Sequence, residues 1–200
     1  MSSDHSTLSY EKSRTIDGQP MRGTHKVKYH PSAEWDFQLD SEHLPIDLSL
    51  ILPHYRARSQ PIEHRMAMFA ESRSSPVKLK VCRNSPRTRF YLEVQGGASD
   101  VTLWLPSDFK GRIHHAGKAT FSAGFINRIL RRARVNEPHG EERHDEDEVV
   151  VITRGRITFK MWDVQTSSPE NTHKESLKRI FGCSWKAPET VIDWDFLLKD

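Results

Sequence analysis

Residues 90–106 read Phe90-Tyr91-Leu92-Glu93-Val94-Gln95-Gly96-Gly97-Ala98-Ser99-Asp100-Val101-Thr102-Leu103-Trp104-Leu105-Pro106. Phe90, Leu92 and Val94 alternate with Tyr91, Glu93 and Gln95; Val101, Leu103 and Leu105 alternate with Thr102 and Trp104. Successive side chains of a strand point to opposite faces, so the stretch spells two strands, each with one apolar face. Gln95 to Asp100 is turn chemistry, with Gly96 and Gly97 free to take positive φ, and Pro106 stops the second strand. Outward from here the period of two persists. Met66, Met68 and Ala70 alternate, as do Val77, Leu79 and Val81. Glu148–Thr153 and Arg156–Asp163 flank Arg154-Gly155, with Ile157, Phe159 and Met161 on the inward side. One apolar and one polar face is the habit of antiparallel strands. The pattern predicts a mainly β fold of antiparallel strands, a two-layer sandwich or a β roll, with a hairpin turning at Arg154-Gly155.

The flanks are less periodic. Phe109–His114 and Lys118–Phe121 read as strands, and Ser122–Arg134 as a short helix or turn followed by a strand. Pro138–Asp147 is a charged loop. One C-terminal helix is expected over about 168–181, with Ser168 as cap, Pro169 in the first turn and Gly182 as stop. Leu177, Ile180 and Phe181 would form its apolar face, and the apolar tail Val191–Leu198 would pack on the sheet. Residues 1–44 have few large apolar groups and are read as a disordered N-terminal arm, with Trp35, Phe37 and Leu39 able to dock as a short strand. Residues 45–200 are then a single β-rich domain.

Composition narrows the function classes. The 200 residues carry a net charge of +3 and 36% hydrophobic residues. Residues 1–47 have eight acids and five bases, a net of −3, which leaves +6 for the remainder. Arg73–Arg89 holds six bases and no acid, whereas Glu141–Glu148 holds six acids in eight residues. The longest aliphatic run is Val149–Ile152, too short for a membrane span. No apolar leader follows the first residue, and the two cysteines, Cys82 and Cys183, form neither a disulfide framework nor a CxxC pair. The expectation is a cytoplasmic or nuclear protein, not secreted and not membrane-bound.

Asp100-Val101-Thr102-Leu103-Trp104-Leu105-Pro106-Ser107-Asp108-Phe109-Lys110-Gly111 resembles a recurring D-V-T-x-x-L-P-x-x-F-x-G segment of a fungal family, a domain of unknown function. Asp147-Glu148 through Thr153, Gly155 and Ile157 resembles that family's D-E-x-x-x-x-T-x-x-G-x-I/V segment. The resemblance covers roughly residues 45–165. The repeated strand–turn–strand texture is also similar, more distantly, to bacterial adhesin-like β domains, which would make the alternative fold an adhesin-like β roll. Neither group brings a catalytic residue; the resemblance implies a β-rich domain.

The chemistry-bearing candidates follow from the faces. If the apolar sets share one core, the opposite face carries Lys78, Lys80, Tyr91, Trp104, Lys160 and Trp162, with Arg89 beside them. Cations interleaved with aromatic rings are what single-stranded nucleic acid platforms use; a second packed layer would instead cover them. His139, His144, Asp145 and Asp147 are the densest group of potential metal ligands, in a spacing that matches no HExxH or EF-hand pattern. A solvated acidic loop is the simpler reading. His114-His115 would point to opposite faces of a strand, and Cys82 shares a strand with two lysines that would lower its pKa. No phosphate loop or GxSxG segment is present. The residues favour a non-catalytic intracellular interaction or scaffold module, offering a strand edge or the basic-aromatic face to a protein partner, with no cofactor. Single-stranded nucleic acid binding comes second and a metal-dependent hydrolase third.

Overall fold

The structure, a computed structural model, describes residues 21–137 and 146–181. In chain order its strands are β1 (Met21–Lys26), β2 (Phe37–Ser41), β3 (Ile46–Ile51), β4 (Met66–Ser72), β5 (Val77–Cys82), β6 (Phe90–Gly97), β7 (Val101–Pro106) and β8 (Gly111–Phe121). A π-helical turn, Phe125–Ile129, leads to β9 (Ala133–Val135), β10 (Asp147–Asp163), β11 (Ser168–Pro169) and helix α1 (Thr172–Phe181). The inward set is the one the alternation picks out. Met66, Met68 and Ala70 of β4, Val77, Leu79 and Val81 of β5, Phe90, Leu92 and Val94 of β6, and Val101, Leu103 and Leu105 of β7 are all completely buried. They join Val149, Val151, Ile157, Phe159 and Met161 of β10 in one core.

The pairing sense corrects the sequence reading. Every pairing among β1 to β10 is parallel, and the strands make one strongly curled half-barrel sheet in place of the antiparallel sandwich or adhesin-like roll. Only the two-residue β11 runs antiparallel, against Trp162 and Asp163. Consecutive strands alternate between two wings of the sheet. β1, β3, β5, β7 and the second half of β10 lie side by side in one wing. β2, β4, β6 and the first half of β10 lie side by side in the other. A parallel neighbour requires a crossover of about a dozen residues or more, and here each wing's crossover is the strand of the other wing. Met66 therefore sits beside Phe90 and Val77 beside Val101, an offset of 24 residues in both wings. Residues 42–45, 73–76 and 98–100 carry the chain over the bend from one wing to the next, so the Gln95–Asp100 stretch read as a turn between antiparallel strands is one of these bends. Gly97 takes φ +54° at one of these bends, where a Cβ would fall on the Arg73 carbonyl oxygen.

β10 is one strand of 17 residues where a hairpin was expected. Its first half pairs with β6 and its second with β7, so Arg154-Gly155 is the same wing-to-wing bend made within a single strand. The bend is fastened to the β6–β7 turn. Thr153 Oγ donates to the Ser99 carbonyl (2.7 Å) and accepts from the Gly155 N–H (2.9 Å), and the Arg156 N–H donates to Asp100 (2.8 Å). Gly155 serves this close approach, because a Cβ there would collide with the Ser99 carbonyl. β8 lies on the far side of β10, paired along both halves, so β10 is inserted out of sequence order between β7 and β8. Phe121, Phe125 of the π-helical turn and Phe159 stack at this end of the core with centroids 5.2–5.6 Å apart.

At the N-terminal side β2 is the short strand that Phe37 and Leu39 were expected to form, with both side chains buried in the core, and β1 joins the sheet beside β3. The helix starts later than expected. Asn171 caps it, its Oδ1 accepting the Lys174 N–H (3.1 Å), while Ser168 and Pro169 pair with β10. Buried Glu175 fixes its first turn to the π-helical segment by accepting from Asn127 Nδ2 (3.1 Å). The tail Val191–Leu198 lies outside the described residues. Among the described residues no helix is long and apolar enough to cross a membrane.

Candidate binding surfaces

The outer face of the β3–β5–β7–β10 wing holds most of the basic-aromatic set. Lys80, Trp104 and Lys160 are register neighbours on β5, β7 and β10. Lys80 Nζ lies 5.1 Å and Lys160 Nζ 5.2 Å from the centroid of the Trp104 ring, one from the strand on each side. An ammonium against the ring face is attracted by its quadrupole, by about 0.5–1 kcal/mol at exposed sites. Lys80 also pairs with Asp47 of β3 (2.9 Å). Lys78 is exposed, two residues before Lys80, and half-buried Trp162 stands two after Lys160, beside Pro106. These five residues share one surface. Beneath it Leu79, Leu103 and Phe159 are wholly buried, so the surface rests on a packed core.

Tyr91 is elsewhere. It lies on β6 in the other wing, stacked on Trp35 (5.9 Å, 25° between planes) and covered by the Arg65 guanidinium (5.7 Å). Its hydroxyl donates to Glu93 (2.9 Å), and burial and that carboxylate push its pKa upward. Around it Arg65 pairs with Glu148 (2.8 Å), and Arg112 and His114 approach the same carboxylate at 3.7 and 4.0 Å. Three cationic or imidazole side chains of this region thus converge on the one Glu148 carboxylate.

His139, His144 and Asp145 lie outside the described residues. Asp147 has a side chain with no exposure, and both its oxygens meet the Arg83 guanidinium at 2.9 Å. Burial pushes the Asp147 carboxyl up, against the pull of Arg83. Arg83 is itself 1% exposed and also donates through Nε to Asp108 (2.9 Å) and through Nη1 to the Thr88 carbonyl (3.2 Å). Among the described residues no three His, Cys, Asp or Glu side chains converge as a metal cage. His115 packs its ring 6.0 Å from Phe159 while His114 faces Glu148, the opposed directions expected of strand neighbours. Burial lowers the His115 pKa. At Cys82 burial overrides the neighbouring cation and pushes the thiol up to about 11, which keeps it protonated.

One surface gave no signal in the alternation. Along one seam of the curl, loops carry the chain from the β3–β5–β7 wing back to the other, and the loop from β3 to β4, residues 52–65, opens a cavity of about 470 Å³ against residues 87–88. Gln60 turns inward, 9% exposed; its Oε1 accepts the Ala57 N–H (3.1 Å) and its Nε2 reaches the Met66 sulfur (3.6 Å). Tyr55 and Ile62 point outward, 87% and 85% exposed. His64 at the loop's end bonds Asp36 (2.7 Å), whose buried carboxylate also accepts the His30 and Ala67 N–H groups (both 2.9 Å). The sequence-level trace of this site is a non-periodic run with two prolines, two histidines and two arginines between Pro53 and His64.

The fold and its surfaces define a class: a parallel, wing-to-wing wound β domain with a buried Arg83–Asp147 pair, a lysine–tryptophan–lysine row on the outer face of one wing and a cavity under one seam loop. The chain belongs to the family described as Domain of unknown function (DUF7330), whose model matches residues 30–164. No curated protein and no solved structure matches it.

Proposed function

We propose that this domain is a non-catalytic interaction module that presents the Lys80–Trp104–Lys160 row, with Lys78 and Trp162 at its margins, to an acidic surface of a protein partner. The observation that carries the reading is the row itself: one aromatic ring between two ammonium groups, at one register of three adjacent strands. A row backed by a packed core loses little freedom on binding, which is what makes preorganised surfaces effective. Tryptophan is enriched among the few residues that carry interface energy, and flanking lysines steer an acidic partner and fix its register. The unpaired thiol of Cys82 fits a reducing, cytoplasmic setting.

Single-stranded nucleic acid is the second reading, favoured by the same cations and ring. It is the weaker one, because a base would have to displace an ammonium group to stack on Trp104. With a partner isolated by cross-linking, Trp104→Ala should weaken binding by about 2 kcal/mol, roughly thirtyfold. Lys80→Gln with Lys160→Gln should slow association and flatten its salt dependence. Unchanged affinity in both variants, with the fold intact by circular dichroism, contradicts the protein reading. Tight, salt-sensitive binding of oligothymidylate that Trp104→Ala abolishes replaces it with the second.

A further inference from the structure

The seam loop inverts the usual order of burial. Its inward position holds Gln60, while Tyr55 and Ile62 stand in solvent at the mouth of the cavity. Among the described residues three large hydrophobic side chains are exposed, Tyr55, Ile62 and Ile152, and two of the three stand together beside this cavity, which marks a contact surface. Arg56 and Arg87 are the charged side chains of the lining, and no acid lines the cavity. His64 is held on Asp36 and His54 on Asn84 (2.6 Å), so the guanidinium groups of Arg56 and Arg87 are the cations left for a ligand. Both residues are exposed. The inward Gln60 and the His64–Asp36 bond fix the loop at two points, so the site does not have to be ordered by its ligand.

We infer that this loop is a second binding site, separate from the Lys–Trp–Lys row, for a short acidic segment of a partner protein. Arg56 and Arg87 take carboxylates, and Tyr55 and Ile62 take an adjacent apolar side chain. Size and chemistry select the occupant. About 470 Å³ accommodates a few side chains and not a folded surface. Guanidinium forks match carboxylates bidentately. An exposed isoleucine adds nothing to a nucleobase, which needs a flat ring, but covers a leucine or phenylalanine side chain.

The test uses the full chain and fluorescence anisotropy with labelled peptides in which glutamates alternate with phenylalanine and leucine, each compared with its glutamine twin. The acidic peptide should bind at least about tenfold more tightly than the twin. Arg56→Ala with Arg87→Ala should remove that advantage, and Tyr55→Ala with Ile62→Ala should weaken both peptides together. Trp104→Ala should leave the peptide affinity unchanged, which separates this site from the row proposed above. Arg56, Arg87, Tyr55 and Ile62 are exposed loop positions, so melting curves of the variants at these four should match the parent. Equal binding of acidic peptide and twin, or an advantage that survives loss of both arginines, overturns the inference. Displacement of the peptide by oligothymidylate at equal concentration overturns it in favour of nucleic acid.

Discussion

Arg83→Met should destabilise the protein by about 3–5 kcal/mol, measured by urea unfolding, because it strips the partner from a buried carboxylate. Arg83 follows β5, Asp108 lies between β7 and β8, and Asp147 opens β10. One guanidinium, 1% exposed and 5.6 Å from the Phe90 ring centroid, thus ties the strand inserted out of order to the two connections it passes. Asp147 cannot recover the lost contacts from solvent, since its side chain has no exposure. The variant should also acquire a pH dependence. Burial already raises the Asp147 carboxyl, and without Arg83 nothing comparable opposes it. A carboxyl raised above its unfolded value favours the native state when protonated, and that contribution is lost as pH rises through the folded pKa. The deficit should therefore shrink on acidification. Arg83→Met with Asp147→Leu should recover part of the loss, so that the double variant costs less than the two single ones added. A loss below about 1 kcal/mol for Arg83→Met would place this cluster among weak surface pairs.

Phe159→Ala should cost about 3–5 kcal/mol, the range for a buried phenylalanine whose cavity cannot collapse. Phe159 is wholly buried in the second half of β10, with Phe121 at 5.4 Å, Phe125 at 5.6 Å and His115 at 6.0 Å. Its neighbours come from β8 and the π-helical turn, so the cavity would open where the inserted strand meets the strand it displaced outward. Phe159→Leu, which keeps most of the volume, should cost markedly less in the same melt. A near-zero effect of Phe159→Ala would move the residue to the surface and invert the facing of β10.

These residues also show how far the sequence carries. Facing was legible: on β4 to β7 and along Ile157–Met161 the residues that the alternation marks as inward are the buried ones, because the pleat itself imposes the period. Direction was not. Val77–Val81 and Val101–Leu105 spell the same pattern whether their strands run together or opposed, and the short links before them look like hairpin turns. Gly155 misled for the same reason, since a glycine needed for a close carbonyl reads like one needed for a turn. Arg83 and Asp147 are 64 residues apart, and no local pattern pairs them. That Lys80, Trp104 and Lys160 face outward was legible from the alternation; that Tyr91 lies in the other wing follows only from the bend between β6 and β7. The seam loop was missed because its information is in an exception, a buried Gln60 and an exposed Ile62, that no periodicity announces.

The parallel register of β7 and β10 is the claim on which the Lys–Trp–Lys row depends, and paired cysteines test it directly. In a background with Cys82→Ser and Cys183→Ser, Thr102→Cys with Thr158→Cys and Trp104→Cys with Lys160→Cys join register partners. Neighbouring strands are about 4.8 Å apart, close enough for a disulfide. Both pairs should oxidise to intramolecular disulfides, and the exchanged pairs, Thr102→Cys with Lys160→Cys and Trp104→Cys with Thr158→Cys, should not. Antiparallel strands would give the opposite outcome, in which the exchanged pairs close and the register pairs stay reduced.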